Sequence, residues 1–392
     1  MTRRFRYAVA GCLAAATMLG AYAVGTDGSA SAATGASGLY GYSIQDQKDF
    51  STYVKLASTG GSRTLRMVVP WASVQPTKSA YNWSFFDATV GIAADDHQRM
   101  LLVVGQSPSW ASGVSTSLPN WEWYPPKDPS TYGTFVHAVL LRYGATGSYW
   151  TSHPSVPKSP VVGIEVWNEP NLKDFWESGP NPSAYAKLVI AAYNATRTTP
   201  QVAPIVAGSL APIGGYNDAN CDGTGDGGVS SRGVNQVNFV ERMYAAGAHG
   251  YFDALSVHPY NFWRNATAAQ MLTYNKCSAW SEMYQTPVNI RRLMAAQGDG
   301  AKKTWITEAG APTCVARATY QCVSEAEQAK LATAEVAAWK SCAWAGNYYW
   351  YDLRDDSSTS PTWFSDQEHH FGVAHANNAH KPVWQALKTA FG

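Results

Sequence analysis

The chain has 392 residues, 45% hydrophobic and only 15% charged, which excludes a disordered protein and provides for a large core. Twenty-nine Lys and Arg against 28 Asp and Glu give a net charge of +1, without the basic surplus that a nucleic-acid partner requires. Sixteen Trp, 22 Tyr and 12 Phe are more than core filling needs, so some rings are expected to line a binding surface.

At the N-terminus, Arg3, Arg4 and Arg6 precede an uncharged stretch from Tyr7 to Thr26 and then small residues, Ser29 to Ala33. This is the positive, apolar and cleavage pattern of a signal peptide, so residues 1–32 are assigned to export and the mature protein to the extracellular space. Stable membrane insertion is not expected, and the mature chain would carry a net charge of −1. No linker, charge block or low-complexity segment divides residues 33–392, which are read as one domain and a monomer.

Short apolar runs recur at Leu39–Ser43, Thr64–Val69, Met100–Val104, Val161–Trp167, Pro204–Ala207, Ala254–Val257, Thr304–Thr307 and Asn347–Tyr351. Helical patterns lie between them. Asn181-Pro182 offers an N-cap and an N1 proline before Tyr185, Leu188, Val189 and Ala192, and Ser324 to Glu327 form a capping box that opens a helix which Gly346 can end. Apolar strands with almost no polar alternation fit parallel strands buried on both faces. With no Gly-rich phosphate loop after the first strand, this pattern predicts a (β/α)8 TIM barrel with long βα loops rather than a doubly wound sheet.

In such a barrel, chemistry belongs at the C-terminal ends of the strands. Arg66 and Trp71 fall there on strand two, Asn168 and Glu169 on four, His258 and Tyr260 on six, Glu308 on seven and Trp350 on eight. Two carboxylates at one mouth suit glycosidic cleavage, in which one protonates the leaving oxygen while the other, ionised, attacks or stabilises the anomeric carbon. Asn168 can donate to a sugar hydroxyl, Arg66 can keep Glu308 ionised, and the Tyr260 hydroxyl can donate to the same carboxylate.

The segments Trp167-Asn168-Glu169-Pro170-Asn171 and Trp305-Ile306-Thr307-Glu308 resemble the catalytic segments of the retaining glycosidases of clan A. Within the clan the chain is most similar to glycoside hydrolase family 39, with family 5 glycanases sharing both motifs. The resemblance runs from Arg66–Trp71 to Phe371-Gly372 and Lys381-Pro382. It implies Glu169 as acid/base, Glu308 as nucleophile and Trp350 as a sugar-stacking ring, although in a Tyr-Tyr-Trp-Tyr run one slip of register exchanges Trp350 for Tyr349 or Tyr351.

Neither a cofactor nor a metal is expected. Asp218, Asn220, Asp222 and Asp226 follow the opening spacing of a calcium loop, but Val229 stands where the bidentate Glu belongs. His369, His370, His375 and His380 lack tight metal spacing and read as loop histidines. Five cysteines remain after export, with Cys314–Cys322 and Cys221–Cys277 expected as disulfides and Cys342 as a buried free thiol. Trp110, Trp121, Trp123, Tyr124, Trp176, Phe262, Trp263, Trp363 and Phe364 follow the strands at the mouth. They suggest a groove for a mostly neutral β-linked polysaccharide or oligosaccharide cut internally. The alternatives are an exo-acting glycosidase, a transglycosylase or an inactive carbohydrate-binding barrel.

Overall fold

In the computed structural model, which describes residues 38–45, 49–198, 203–260, 269, 272–313, 322–356 and 367–392, the apolar runs form eight parallel strands. They close into one barrel, paired in chain order with the last against the first. The strands are β1 Tyr40–Ile44, β2 Thr64–Pro70, β3 Arg99–Gly105, β4 Gly163–Val166, β5 Ile205–Leu210, β6 Ala254–Val257, β7 Lys303–Ile306 and β8 Ala345–Trp350. A main helix follows each in turn: α1 Phe50–Thr59, α2 Ser84–Asp95, α3 Pro129–Tyr143, α4 Pro182–Thr196, α5 Gln236–Ala245, α6 Ile290–Ala296, α7 Glu325–Lys340 and α8 Pro382–Phe391. The architecture is the expected (β/α)8 barrel. The segment assigned to export lies outside the described residues, among which no helix is long and apolar enough to cross a membrane.

Local sequence starts the helices as expected. The Asn181 side chain accepts from the Ala184 amide with Pro182 at N1 of α4, and the Ser324 hydroxyl accepts from the Glu327 amide at the start of α7. Helix α7, however, ends at Lys340, and Gly346 lies within β8 instead of closing it. A Cβ at Gly346 would come within 2.3 Å of the Trp305 ring, so the glycine makes room for a tryptophan in the barrel floor.

Strand alternation divides the core in two. One set of side chains, including Leu65, Met67, Leu102, Val104, Ile164, Val166, Leu255, Ile306, Tyr348 and Trp350, packs with the helices. The other, Leu101, Val162, Val206, Ala254, Trp305 and Tyr349, fills the floor of the barrel. Both faces are apolar over most of each strand, which is why the sequence showed runs without alternation. Above the floor the inward positions turn polar, and there the candidate site begins.

Cys221 and Cys277 are joined, tying the loop after β5 to the segment after β6. Cys342 is buried as expected but is not a free thiol: Cys322 and Cys342 are both disulfide-bonded, and no free cysteine occurs among the described residues. A place on the apolar stripe of a helix accounts for burial and does not keep a sulfur from pairing. The expected Cys314–Cys322 link falls on residue 314, outside the described residues.

Candidate active site

Arg66, on β2, organises the mouth from inside the barrel. Its Nε donates to Glu165 Oε2 at 2.6 Å, one terminal nitrogen to Glu308 Oε1 at 2.5 Å and to Ser43 Oγ at 3.0 Å, and the other to Asn168 Oδ1 at 2.8 Å. A guanidinium fixed by four partners from three strands or their ends loses little freedom when it holds a further charge. Burial alone would lower its pKa, but the Glu165 and Glu308 carboxylates reverse that, so Arg66 remains a permanent cation.

Glu308 follows β7 and takes a second donor, the Tyr260 hydroxyl, on Oε2 at 2.9 Å. Glu169 follows β4 through a strained turn in which Trp167 (φ 67°) and Glu169 (φ 42°) both adopt left-handed backbone conformations, at about 1–2 kcal/mol each. The turn is held from the neighbouring strand. A register shift in β5 between Ala207 and Leu210 brings Ser209 beneath it. The Glu169 amide donates to Ser209 Oγ at 2.9 Å, and Ser209 Oγ donates to the Trp167 carbonyl at 3.2 Å. The shift needs Gly208 at φ 123°, where a Cβ would lie 2.2 Å from the Ser256 carbonyl oxygen.

His258 Nδ1 lies 2.9 Å from Glu169 Oε1 and 3.5 Å from Glu308 Oε2. Burial lowers the His258 pKa, opposed by its hydrogen bond to Glu169, so the imidazole is held neutral. Burial also raises both carboxyls. For Glu169 the Glu308 charge adds to this and His258 opposes it, whereas for Glu308 the Arg66 cation and the Tyr260 hydroxyl pull back toward the ionised form. The two carboxyls thus have unequal surroundings: Glu308 has two donors suited to an anion, and Glu169 is the better proton holder.

One donor atom each from Glu169, His258 and Glu308 lie within 4.8 Å of one another, the one such grouping among the described residues that could hold a metal. Those atoms are already engaged with one another and with Tyr260, and the adjacent Arg66 cation opposes a second positive charge. The acidic loop after β5 does not converge on a cation position either. Asp218 accepts the Asp222 and Gly223 amides, and Asp226 those of Ala219, Asn220 and Gly228. His369 faces Asp356, His370 faces Asp355, His375 lies between Glu325 and Asp355, and His380 stacks on Trp384.

Of the residues singled out in the sequence, Arg66, Asn168, Glu169, His258, Tyr260 and Glu308 meet at this mouth. Trp71 and Trp350 do not. Trp71 is fully buried on the helix side of β2, stacked on Phe135 at 5.4 Å with its indole N–H on Gln75. Trp350 is fully buried opposite Tyr42 and on the same face as Tyr348, whose hydroxyl reaches Glu335 on α7. The strand-eight ring at the mouth is Tyr351, packed edge-on to Tyr260 with its hydroxyl shared by Gln45 and Glu368. Burial, followed by the Glu308 charge, pushes the Glu368 carboxyl up to about 7.

Several of the loop aromatics brace the barrel. Trp110 packs against Trp71, Trp123 meets Phe175 and Trp167 edge-on, and Trp176 is buried. Trp121 and Tyr124 keep part of their surface open, whereas Phe262, Trp263, Trp363 and Phe364 lie outside the described residues. Glu165, Ser43, Ser209 and Ser256 complete the site from within the strands; Glu165 alone carries a sequence signal, a charged residue inside the otherwise apolar run from Val161 to Trp167.

No protein-family model matches the chain. Its fold is shared with glycoside hydrolases of clan A. Over 90% of this chain it superposes on a family 39 glycoside hydrolase from Bacteroides cellulosilyticus WH2 with a TM-score of 0.57 and 19% identity. A monomeric β-xylosidase from Caulobacter crescentus CB15 gives 0.58 and 15% over 90%, and a GH5_18 structure from Streptomyces cattleya in complex with GlcNAc gives 0.60 and 15% over 91%. The chain spans 62% of the first of these, 69% of the second and 80% of the third. At these identities the likeness establishes the barrel.

Proposed function

We propose that this chain is an exported retaining glycoside hydrolase that works by double displacement, with Glu308 as nucleophile and Glu169 as acid/base. The observation that carries the reading is that two carboxyls of unequal surroundings approach within 4.8 Å of each other at the C-terminal end of the barrel. Retaining chemistry needs a separation of about 5–5.5 Å, whereas inversion needs about 6.5–9.5 Å to seat a water. In the first step Glu308 attacks the anomeric carbon while Glu169 protonates the departing oxygen. In the second, Glu169 takes a proton from a water whose oxygen bonds to the anomeric carbon, the ester bond to Glu308 breaks with its electron pair returning to the carboxylate, and the sugar leaves with its original configuration. Asn168, fixed by Arg66, faces the same mouth and can bond a sugar hydroxyl. A mature charge near zero and the partly open Trp121 and Tyr124 support a mostly neutral β-linked polysaccharide cut internally.

The test is incubation with a panel of β-linked polysaccharides and aryl β-glycosides, following product size by mass spectrometry and the first-formed anomer by proton NMR. A β-anomer formed first, with oligosaccharides as early products, is the expected result. An α-anomer formed first would establish inversion, and monosaccharide as the first product would establish exo action.

A further inference from the structure

The interior holds one carboxylate more than the reaction uses. Glu165 is fully buried on β4, and Arg66 is 2% exposed. Glu165 Oε2 accepts from Arg66 Nε, and its Oε1 accepts the Ser256 hydroxyl at 2.6 Å; Ser256 Oγ in turn accepts the Ser209 amide at 2.6 Å. Glu165 therefore touches the group that holds Glu308 and, through Ser256 and Ser209, the turn that holds Glu169, without reaching the mouth itself.

Charge conservation gives this carboxylate a task. Before reaction the Arg66 cation is shared by two anions, Glu165 and Glu308. When a Glu308 oxygen bonds to the anomeric carbon, the glycosidic bond breaks, its electron pair stays on the departing oxygen, and that oxygen takes the Glu169 proton. Glu308 is then a neutral ester. Without Glu165, Arg66 would at that moment be a buried cation stripped of its contacting counter-charge, an arrangement that low-dielectric surroundings penalise strongly.

We propose that Glu165 is a positioning residue that keeps Arg66 oriented and neutralised while Glu308 becomes an ester, and that its charge keeps Glu308 basic enough to attack. The Glu165 charge acts on Glu308 in the direction this requires, raising its pKa. The inference rests on the retaining-glycosidase reading for its chemical step and on the buried ion network alone for its electrostatic one.

Glu165→Gln tests it with little change of shape. The amide oxygen can still accept from Arg66 Nε, and the amide nitrogen can donate to Ser256 Oγ while that hydroxyl turns to the Ala207 carbonyl, already 3.4 Å away. In protein labelled at the glutamate side-chain carboxyl with carbon-13, the Glu308 resonance, assigned by its loss in Glu308→Gln, should titrate about one pH unit lower in Glu165→Gln than in wild type. On 4-nitrophenyl β-D-xyloside, β-D-glucoside and β-D-mannoside, the acid limb of kcat/KM should move down with it. The plateau should fall about tenfold, since a less basic carboxylate attacks more slowly.

A Glu308 titration that stays in place or rises would overturn the proposal. Should the variant not fold, the wild-type spectrum decides: a Glu165 carboxyl found protonated where Glu308 titrates would equally overturn it. A wild type that cleaves no glycoside removes the glycosidase reading, while the NMR comparison, made without substrate, still decides the charge sharing.

Discussion

Replacing Glu335 by Gln should stabilise the protein at neutral and alkaline pH and leave it nearly unchanged under acid conditions. Glu335 lies on α7, fully buried beneath β8. One oxygen accepts the Tyr348 hydroxyl at 2.7 Å, and the other has no hydrogen-bond partner in the structure. Burial pushes this carboxyl up to about 8, against about 4.3 in an unfolded chain. The native state therefore binds the proton that the unfolded state releases. The stability associated with Glu335 is fully present below about pH 4.3, declines as pH rises and is lost once pH passes about 8. At about 1.4 kcal/mol per unit, the loss reaches about 3–4 kcal/mol at pH 7 and about 5 kcal/mol above pH 8, as upper limits. Gln has the shape of the protonated acid and cannot ionise, so the variant should recover most of this difference. Guanidinium unfolding of both proteins at pH 5, 7 and 8.5, followed by tryptophan fluorescence, measures it directly. Stability differences within about 1 kcal/mol of each other at all three pH values would show that water or rearrangement solvates Glu335, and the reasoning from burial would be wrong.

Glu308→Gln should abolish glycoside hydrolysis and, by removing a neighbouring negative charge, lower the pKa of Glu169; an unchanged or raised Glu169 titration by NMR would mean that the two carboxyls do not share a site. In wild type, kcat/KM should be bell-shaped in pH, rising as Glu308 ionises and falling as Glu169 loses its proton, with both limbs above ordinary carboxylate values because burial raises both groups. Ser209→Ala removes the acceptor of the Glu169 amide. It should cost about 1–2 kcal/mol in unfolding free energy and slow glycosides with poor leaving groups far more than 4-nitrophenyl glycosides, which need little protonation; equal slowing of both would remove Ser209 from acid/base positioning. Replacing Cys221 and Cys277 together by Ser opens a link spanning 56 residues, for which chain entropy gives about 4 kcal/mol. The melting temperature should fall while activity at 25 °C persists, and an unchanged melting temperature would contradict that account.

The barrel was legible because parallel strands sandwiched between floor and helices must be apolar on both faces, and each such run stood out between polar loops. The same property concealed the register of β8. In Tyr348-Tyr349-Trp350-Tyr351 every residue suits either face, and only closure of β8 against β1 fixes Trp350 toward the helices and brings Tyr351 to the mouth. Trp71 was misplaced for a related reason: the chain enters a short helical turn directly after β2, so strand alternation no longer decides where the ring goes. The acidic pair and its immediate donors followed from residue type at strand ends. Glu165, Ser209 and Ser256 did not, because they become partners only when β2, β4, β5 and β6 are rolled into one interior.

The residues that grip the two carboxyls sit within the strands or no more than three positions beyond them, and their hydrogen bonds run across the interior. The long excursion between β3 and α3 gives neither carboxyl a hydrogen bond, and its Trp123 only packs edge-on against Trp167 behind the turn. Such an arrangement separates what can be cut from how it is cut. On the proposed reading, a laboratory, or natural selection, could exchange the rim to admit a different glycan while Glu169, Glu308 and their supports remain as they were.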